Sequence, residues 1–144
     1  MTATLRRTPL YDAHLALGAR MGPYAGWEMP LQYEGGVIAE HRATRATAGA
    51  FDVSHMGQIE TAGPGAQALL ERLSSNDVAA VPIGGAQYSV LCREDGGVLD
   101  DLFTYRLEAE RYLTVTNAAN HARDFAWFEA HASEDATVTD RAAD

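Results

Sequence analysis

Three strand-like segments in direct succession constrain the fold of this chain more than any other feature of its sequence. They run from Gln87 to Arg93, from Val98 to Leu107 and from Arg111 to Asn117, and β-branched, aromatic and other apolar residues recur along each of them. A DGG turn and a short EAE loop join them, and connections this short suit only antiparallel neighbours. The sequence therefore predicts an antiparallel meander.

The middle segment carries two adjacent aspartates, Asp100 and Asp101, close to its start. Successive side chains of a strand point to opposite faces, so the two carboxylates belong to different faces. One face combines Leu99, Asp101, Phe103, Tyr105 and Leu107, and the other combines Val98, Asp100, Leu102, Thr104 and Arg106. We expect the first to be the apolar face, where a carboxylate needs partners, a shifted pKa or a ligand. Asp100 is expected to be solvated or locally hydrogen-bonded.

Matching the apolar faces of neighbouring strands predicts the register of the meander. Pairing Phe103 with Val115 fixes one hairpin, and it places Asp101 opposite Asn117. A two-residue turn in the other hairpin likewise places Val90 opposite Asp101. These registers gather four polar side chains on one patch of the sheet: Tyr88, Asp101, Tyr105 and Asn117. Polar tips among apolar and aromatic walls suit a flat, polar, heteroaromatic ligand.

The composition excludes several classes of function. At 144 residues and 47% hydrophobic, the chain is predicted to form a globular protein with a real core. Its 11 basic and 20 acidic residues give a net charge of -9, which argues against nucleic acid as a partner. No apolar run approaches the roughly 20 residues that span a bilayer, so no membrane is expected and we predict a soluble intracellular protein.

Disulfide and metal chemistry are not predicted either. The single cysteine, Cys92, excludes an internal disulfide and a cysteine-based zinc site. The histidines show no metal-ligand spacing, and they are His14, His41, His55, His121 and His131. His55 has the titration range of a general base, but no paired cysteine or carboxylate spacing supports that role. We therefore interpret His55 as structural.

Helical periodicity and turn residues predict the remaining elements. Thr8 and Pro9 form a suitable helix start, with threonine as the cap and proline at the first helical position. The predicted elements are a helix from Pro9 to Met21, an ordered loop from Gly22 to Gly36, helices over Val37–Ala48, Gly65–Ser74 and Ala118–Ala132, and short strands over Phe51–Ser54, Met56–Thr61 and Ala136–Thr139. The third helix buries residues at i, i+3, i+4 and i+7, namely Ala66, Leu69, Leu70 and Leu73.

Several motifs occur in a fixed order along the chain, among them GWEMP, FDVSHMG and GGVLDDL. With them the chain resembles the N-terminal part of the glycine cleavage system T protein, the aminomethyltransferase, from about Arg7 to Phe128. The resemblance implies an α+β fold in which helices pack on an antiparallel sheet. It also implies tetrahydrofolate as the acceptor of a one-carbon unit, and the lipoyl-carrying H protein as the partner that delivers this unit in aminomethyl form. Ammonia would be released in that transfer.

The resemblance and the strand parity single out the same carboxylate. In T proteins the second residue of the Asp-Asp pair is the essential carboxylate beside the pterin, which in this sequence is Asp101. Four further positions match residues near the folate in that family: Met56, Tyr88, Tyr105 and Asn117. Taken without the resemblance, a strand tyrosine is more often a packing residue, and an asparagine at a strand end suits a turn equally well.

Complete T proteins are more than twice as long as this chain, so the resemblance implies an incomplete relative. It predicts residues 1–50 as part of a split first domain, 51–139 as an inserted folate-binding domain, and 140–144 as the start of the return to the first. Three functions stay open: an aminomethyltransferase, a folate-binding module without transferase activity, and a truncated fragment of this family. The missing C-terminal portion or a second chain would be a further partner. Bacterial cytoplasm, or the mitochondrial matrix in a eukaryote, is the expected compartment.

Overall fold

Short helices and strands follow one another along residues 4–142, the part of the chain that this computed structural model describes. Their order is α1 (Tyr11–Ala16), β1 (Arg20–Tyr24), β2 (Trp27–Gln32), α2 (Gly36–Ala46), β3 (Gly57–Ala62), α3 (Ala66–Leu73), β4 (Ala86–Cys92), β5 (Val98–Glu108), β6 (Arg111–Thr116), α4 (His121–His131) and β7 (Thr137–Asp140). The chain divides into two units between His55 and Met56. Each combines helices with an antiparallel sheet, which confirms the α+β class.

The predicted meander forms the larger part of a five-stranded antiparallel sheet in the second unit. Its strand order is β4-β5-β6-β3-β7. Phe103 lies opposite Val115, and Val90 lies opposite Asp101, so both predicted registers are confirmed. The apolar and aromatic side chains that had to match across these hairpins therefore set the pairing.

The core of the second unit lies between one face of this sheet and the helices α3 and α4. The four residues that α3 was predicted to bury are all buried. Phe128 of α4 is fully buried in the same cluster, whereas Phe125 packs at its margin. Burying a side chain of this size contributes about 2 to 3 kcal/mol to folding. From the sheet the cluster receives Ile59, Leu91, Leu102 and Tyr112.

The structure corrects which face of β5 is the core face. Leu102 and Thr104 are buried, whereas Phe103 and Tyr105 are 38% and 40% exposed. The alternation was predicted correctly, but the face that carries Asp101 is the outer one. Polar residues are stable on the core face when they hydrogen-bond to each other. The Thr104 and Thr114 hydroxyls, for example, lie 3.0 Å apart across the strands.

The first unit departs further from the sequence prediction. The helix predicted to reach Met21 ends at Ala16, and the segment predicted as a loop forms the hairpin of β1 and β2. Its turn residues Ala25 and Gly26 both have positive φ, as a two-residue hairpin turn of this kind requires. Thr8 does not cap α1 through its side chain. Its hydroxyl donates a 2.6 Å hydrogen bond to Asp52, which lies in a segment predicted as a strand and observed outside regular structure.

The remaining boundaries differ from the prediction by a few residues. α2 ends at Ala46 rather than at residue 48, and α4 covers His121–His131, a shorter range than predicted. The division after His55 lies five residues beyond the predicted boundary at residue 50. The assignment of 1–50, 51–139 and 140–144 to domains stays a prediction, and residues 143–144 of the last segment lie outside the described residues.

Candidate functional site

The sheet of the second unit has an outer face, on the side opposite the core helices. It is formed by side chains of the meander that alternate with the core positions, and they are Tyr88, Val90, Asp101, Phe103, Tyr105, Leu113 and Val115. Tyr88 is 57% exposed. The Phe103 and Tyr105 rings lie 5.1 Å apart in a tilted arrangement, which makes a continuous aromatic surface beside the carboxylate. Exposed aromatic side chains around a carboxylate are typical of a binding surface.

Asp101 is the polar centre of the outer face. The Asn117 side-chain amide donates to the Asp101 carboxylate and to its backbone carbonyl, each at 3.2 Å. The Tyr88 hydroxyl interacts with the same carboxylate, and this interaction is the main reason why the pKa of Tyr88 lies above its usual value. Tyr88 thus remains a donor to Asp101 at neutral pH. The structure brings three of the predicted site residues into direct contact.

The other two predicted site residues lie further from the carboxylate. Tyr105 contacts Phe103 and contributes aromatic surface to the outer face. Met56 is half-buried and directly precedes β3, where Gly57 pairs with Thr116, so it lies at the same end of the sheet as Asn117. The ligand-binding roles of all five residues remain predictions.

Asp100 was expected to be solvated or locally bonded, and the structure places it in the core with 6% exposure. Its carboxylate accepts hydrogen bonds from the side-chain amides of Asn117 and Asn120, both at 3.0 Å, and from the Asn117 backbone N–H at 3.4 Å. Burial alone would raise the pKa of Asp100, but hydrogen bonds with Asp124 and the two asparagines hold it below its usual value. Asn117 therefore joins the core carboxylate to the outer one.

Asp124, on α4, is a member of this polar cluster that the sequence analysis missed. It is fully buried, and burial is the largest cause that raises the pKa of its carboxyl to about 7. The hydrogen bond with Asp100 raises this pKa further, whereas Arg123 beside it lowers it. One signal was available in the sequence. Asp124 lies one helical turn before Phe128, on the face of α4 that packs on the sheet.

A second polar cluster lies in the first unit. The His14 ring bridges the Tyr33 hydroxyl and the Asp52 carboxylate, each at 2.8 Å, beside a cavity of about 600 Å³. Burial alone would raise the pKa of Asp52, but hydrogen bonds from Thr8 and His14 hold it well below its usual value. His55 packs edge-on against Tyr24, with ring centroids 5.7 Å apart. The contacts of His14 and His55 thus join residues within the first unit, and we interpret both histidines as structural.

The described residues contain no group of three histidine, cysteine or carboxylate side chains arranged to hold a metal ion. Across residues 4–142 no helix has both the length and the apolar character needed to cross a membrane. Cys92 is a half-buried free thiol whose sulfur lies 3.7 Å from the Val90 carbonyl oxygen. The outer face is the candidate site in the second unit, because exposed aromatic side chains surround the Asp101 carboxylate there.

Comparison with known proteins shows the family to which this chain belongs. Residues 10–144 match the family described as GCVT N-terminal domain, and the chain belongs to that family. A solved relative is the glycine cleavage system aminomethyltransferase T from Bartonella henselae, with 43% identity and a TM-score of 0.90. The match covers 95% of this chain and 38% of that one. The resemblance seen in the sequence motifs is thereby confirmed.

Relatives found by sequence are named aminomethyltransferases, like the solved structure. An aminomethyltransferase of Symbiobacterium thermophilum is 53% identical over 127 residues, which cover 88% of this chain and 34% of that protein. An aminomethyltransferase of Chloroherpeton thalassium is 45% identical over 140 residues, which cover 97% of this chain and 38% of that protein. The chain spans little more than a third of the length of these relatives.

Proposed function

We propose that the outer face binds tetrahydrofolate and that the chain is the folate-binding part of an aminomethyltransferase of the glycine cleavage system. The observation that carries the proposal is the Asp101 carboxylate, which Tyr88 and Asn117 hold beside the aromatic surface of Phe103 and Tyr105. Membership of the family supports it, since relatives of known name are aminomethyltransferases.

The chemistry of the outer face fits a reduced pterin. The pyrimidinone ring of a reduced pterin is flat and conjugated, with N–H groups at its edge, and it needs aromatic or apolar surface together with a hydrogen-bond acceptor. Phe103, Tyr105 and Tyr88 supply that surface, and each is at least 38% exposed. Asp101 supplies an anionic acceptor, which forms stronger hydrogen bonds than a neutral oxygen.

Asp101 is proposed as the catalytic residue of the transfer. Its carboxylate would accept a hydrogen bond from a ring nitrogen of the acceptor and stabilise the positive charge that develops as the one-carbon unit moves. In the overall reaction, tetrahydrofolate and aminomethyl-lipoyl H protein give methylenetetrahydrofolate, ammonia and dihydrolipoyl H protein. The bonds of the methylene carbon to the lipoyl sulfur and to the amino nitrogen both break, and new bonds join this carbon to two folate nitrogens. The two protons that these nitrogens release are taken up by the departing ammonia and by the lipoyl thiol.

The lipoyl-carrying H protein is the proposed partner, and the remaining portion that longer relatives contain, or a second chain, is proposed to complete the site. A reducing compartment, the bacterial cytoplasm or the mitochondrial matrix, is the proposed location. The short span of the match favours one alternative, namely a folate-binding module or truncated fragment without transferase activity. The alternative shares the outer face but lacks the transfer step.

An assay of ammonia release separates these functions. The purified chain is mixed with aminomethylated H protein and tetrahydrofolate, beside Asp101→Ala and a control, Asp12→Asn, which removes an exposed charge in α1. Release that is abolished only by Asp101→Ala supports the transferase. Equal release by the Asp101→Ala variant would exclude the proposed role of this residue. Saturable folate binding without ammonia release would support the module instead.

A further inference from the structure

Two carboxyl groups lie within hydrogen-bond reach of each other in the core of the second unit. Asp100 comes from β5 and Asp124 from α4, and a hydrogen bond between their side chains shifts the pKa of each. Asn120 also links the two residues, because its side-chain amide donates to Asp100 Oδ1 and its backbone carbonyl accepts from the Asp124 N–H. Asp124 is completely buried, and Asp100 is 6% exposed. Two carboxylates this close cannot both be ionised at low cost away from water, so one of them retains a proton.

The surrounding donors decide which of the two holds the proton. Asp100 accepts three N–H groups from Asn117 and Asn120, an arrangement that stabilises an anion. The Asp124 Oδ2 atom is buried and has no donor partner in the described part of the chain. A proton on Asp124 that is directed at Asp100 satisfies this atom and removes the repulsion between the two groups.

The pair reaches the outer face through a single asparagine. The Asn117 Nδ2 group has two hydrogens, and it lies 3.0 Å from Asp100 Oδ1 and 3.2 Å from Asp101 Oδ1. These bonds hold the amide between the core carboxylate and the outer one. We propose that Asp100 and Asp124 share one proton and act as positioning residues that hold the Asn117 carboxamide against Asp101. Only the predicted effect of this pair on ligand binding rests on the proposed folate site.

Charged and titratable groups reach the pair from three elements. Arg123, on α4, donates to Asp124 Oδ1 at 3.2 and 3.1 Å and opposes protonation of Asp124. This guanidinium is 49% exposed, so water weakens its effect. β5 contributes Asp101. β4 contributes the Tyr88 hydroxyl, which is neutral at physiological pH and lies in the field of Asp100.

Loss of the shared proton would disturb the site. Above the pH at which Asp124 ionises, two adjacent anions remain in the core, and their repulsion displaces Asp100 from the Asn117 amide. The outer face is then less well organised for a ligand. If only the protein with the protonated pair binds tetrahydrofolate, the affinity one pH unit above this midpoint is about elevenfold weaker than at low pH.

Nuclear magnetic resonance of the ligand-free chain tests the shared proton directly. Aspartate is labelled with ¹³C and asparagine with ¹⁵N, and Asp124→Asn and Asp100→Asn assign the two carboxyl carbons. We expect one carboxyl signal to titrate near pH 7 and the Asn117 side-chain amide signals to move with the same midpoint. In Asp124→Asn the amide signals should lose this midpoint, because an asparagine amide donates to Asp100 at every pH.

Two results would overturn the inference. One is a pair of carboxyl signals that both finish titrating below about pH 5, the range of ordinary aspartates. The other is a set of Asn117 side-chain amide signals that do not change with pH around a carboxyl midpoint near 7. Binding of tetrahydrofolate between pH 6 and 8 is measured in parallel, and its pH dependence should be weaker in Asp124→Asn. A chain that shows the midpoint but binds no folate would count against the proposed function and leave the positioning pair supported.

Discussion

Replacement of Asp124 by asparagine should change how the stability of the second unit depends on pH. The unfolded chain releases this proton near the ordinary value of 3.8, whereas the folded protein retains it to about pH 7. Because the folded state binds the extra proton, the contribution of Asp124 to stability is greatest at low pH and falls as the pH rises between these values. The slope is about 1.4 kcal/mol per pH unit, which totals about 4 kcal/mol across this interval.

Asparagine has nearly the same shape and remains neutral, so the variant should lack this slope. Urea unfolding between pH 4.5 and 8 measures the effect, with Trp127 on the same helix as the fluorescent reporter in a Trp27→Phe background. The carboxyls whose pKa values are lowered, such as Asp100, titrate below this range and so add little to the difference between the two proteins. Asp12→Asn serves as the charge-matched control. Parallel stability curves for the Asp124→Asn and parent chains would show that Asp124 does not retain a proton in the folded protein.

Three further substitutions test the packing of the second unit. Phe128→Ala should lower the free energy of unfolding by about 3 to 5 kcal/mol, because this ring is fully buried. Thr104→Val should cost about 1 to 3 kcal/mol by leaving the Thr114 hydroxyl without its partner, and the Thr104→Val/Thr114→Val double variant should recover part of this loss. Gly57→Ala should lower the melting temperature, because a Cβ atom there would overlap the His121 ring.

Each of these three has its own contradicting result. A loss below about 1 kcal/mol for Phe128→Ala would mean that α4 does not pack as described. A double variant that is no more stable than Thr104→Val alone would exclude the hydroxyl pair, as a double-mutant cycle shows directly. An unchanged melting temperature for Gly57→Ala would contradict the close packing of the His121 ring on residue 57, because it would mean that the ring moves aside without cost.

The meander and its register could be predicted from the sequence because they depend on local patterns. Pairing Phe103 with Val115 follows from apolar matching between strands joined by short turns, and this pairing is observed. The core face of β5 could not be predicted in the same way. Both of its faces contain apolar residues, and the choice between them is made by α3 and α4, which are distant along the chain.

The carboxyl pair shows a second limit of sequence reasoning. Asp100 and Asp124 are 24 positions apart, and only the packing of α4 on the sheet brings them together. In the first unit, the glycines and prolines of the β1–β2 hairpin resemble those of a loop, yet Gly22, Pro23 and Pro30 lie within its strands and Gly26 permits the tight turn. Composition therefore indicated the turn but not the strands beside it.

Calorimetric titration with tetrahydrofolate under reducing conditions measures whether the outer face binds folate through Asp101. The parent chain is compared with Asp101→Asn, which keeps the shape of the side chain and removes its charge, and with Asp12→Asn as the control. We expect saturable binding that weakens at least tenfold, about 1.4 kcal/mol, in Asp101→Asn and is unaffected in the control. Equal affinity in all three proteins, or no binding by a correctly folded parent chain, would contradict the assignment of the outer face as the folate site.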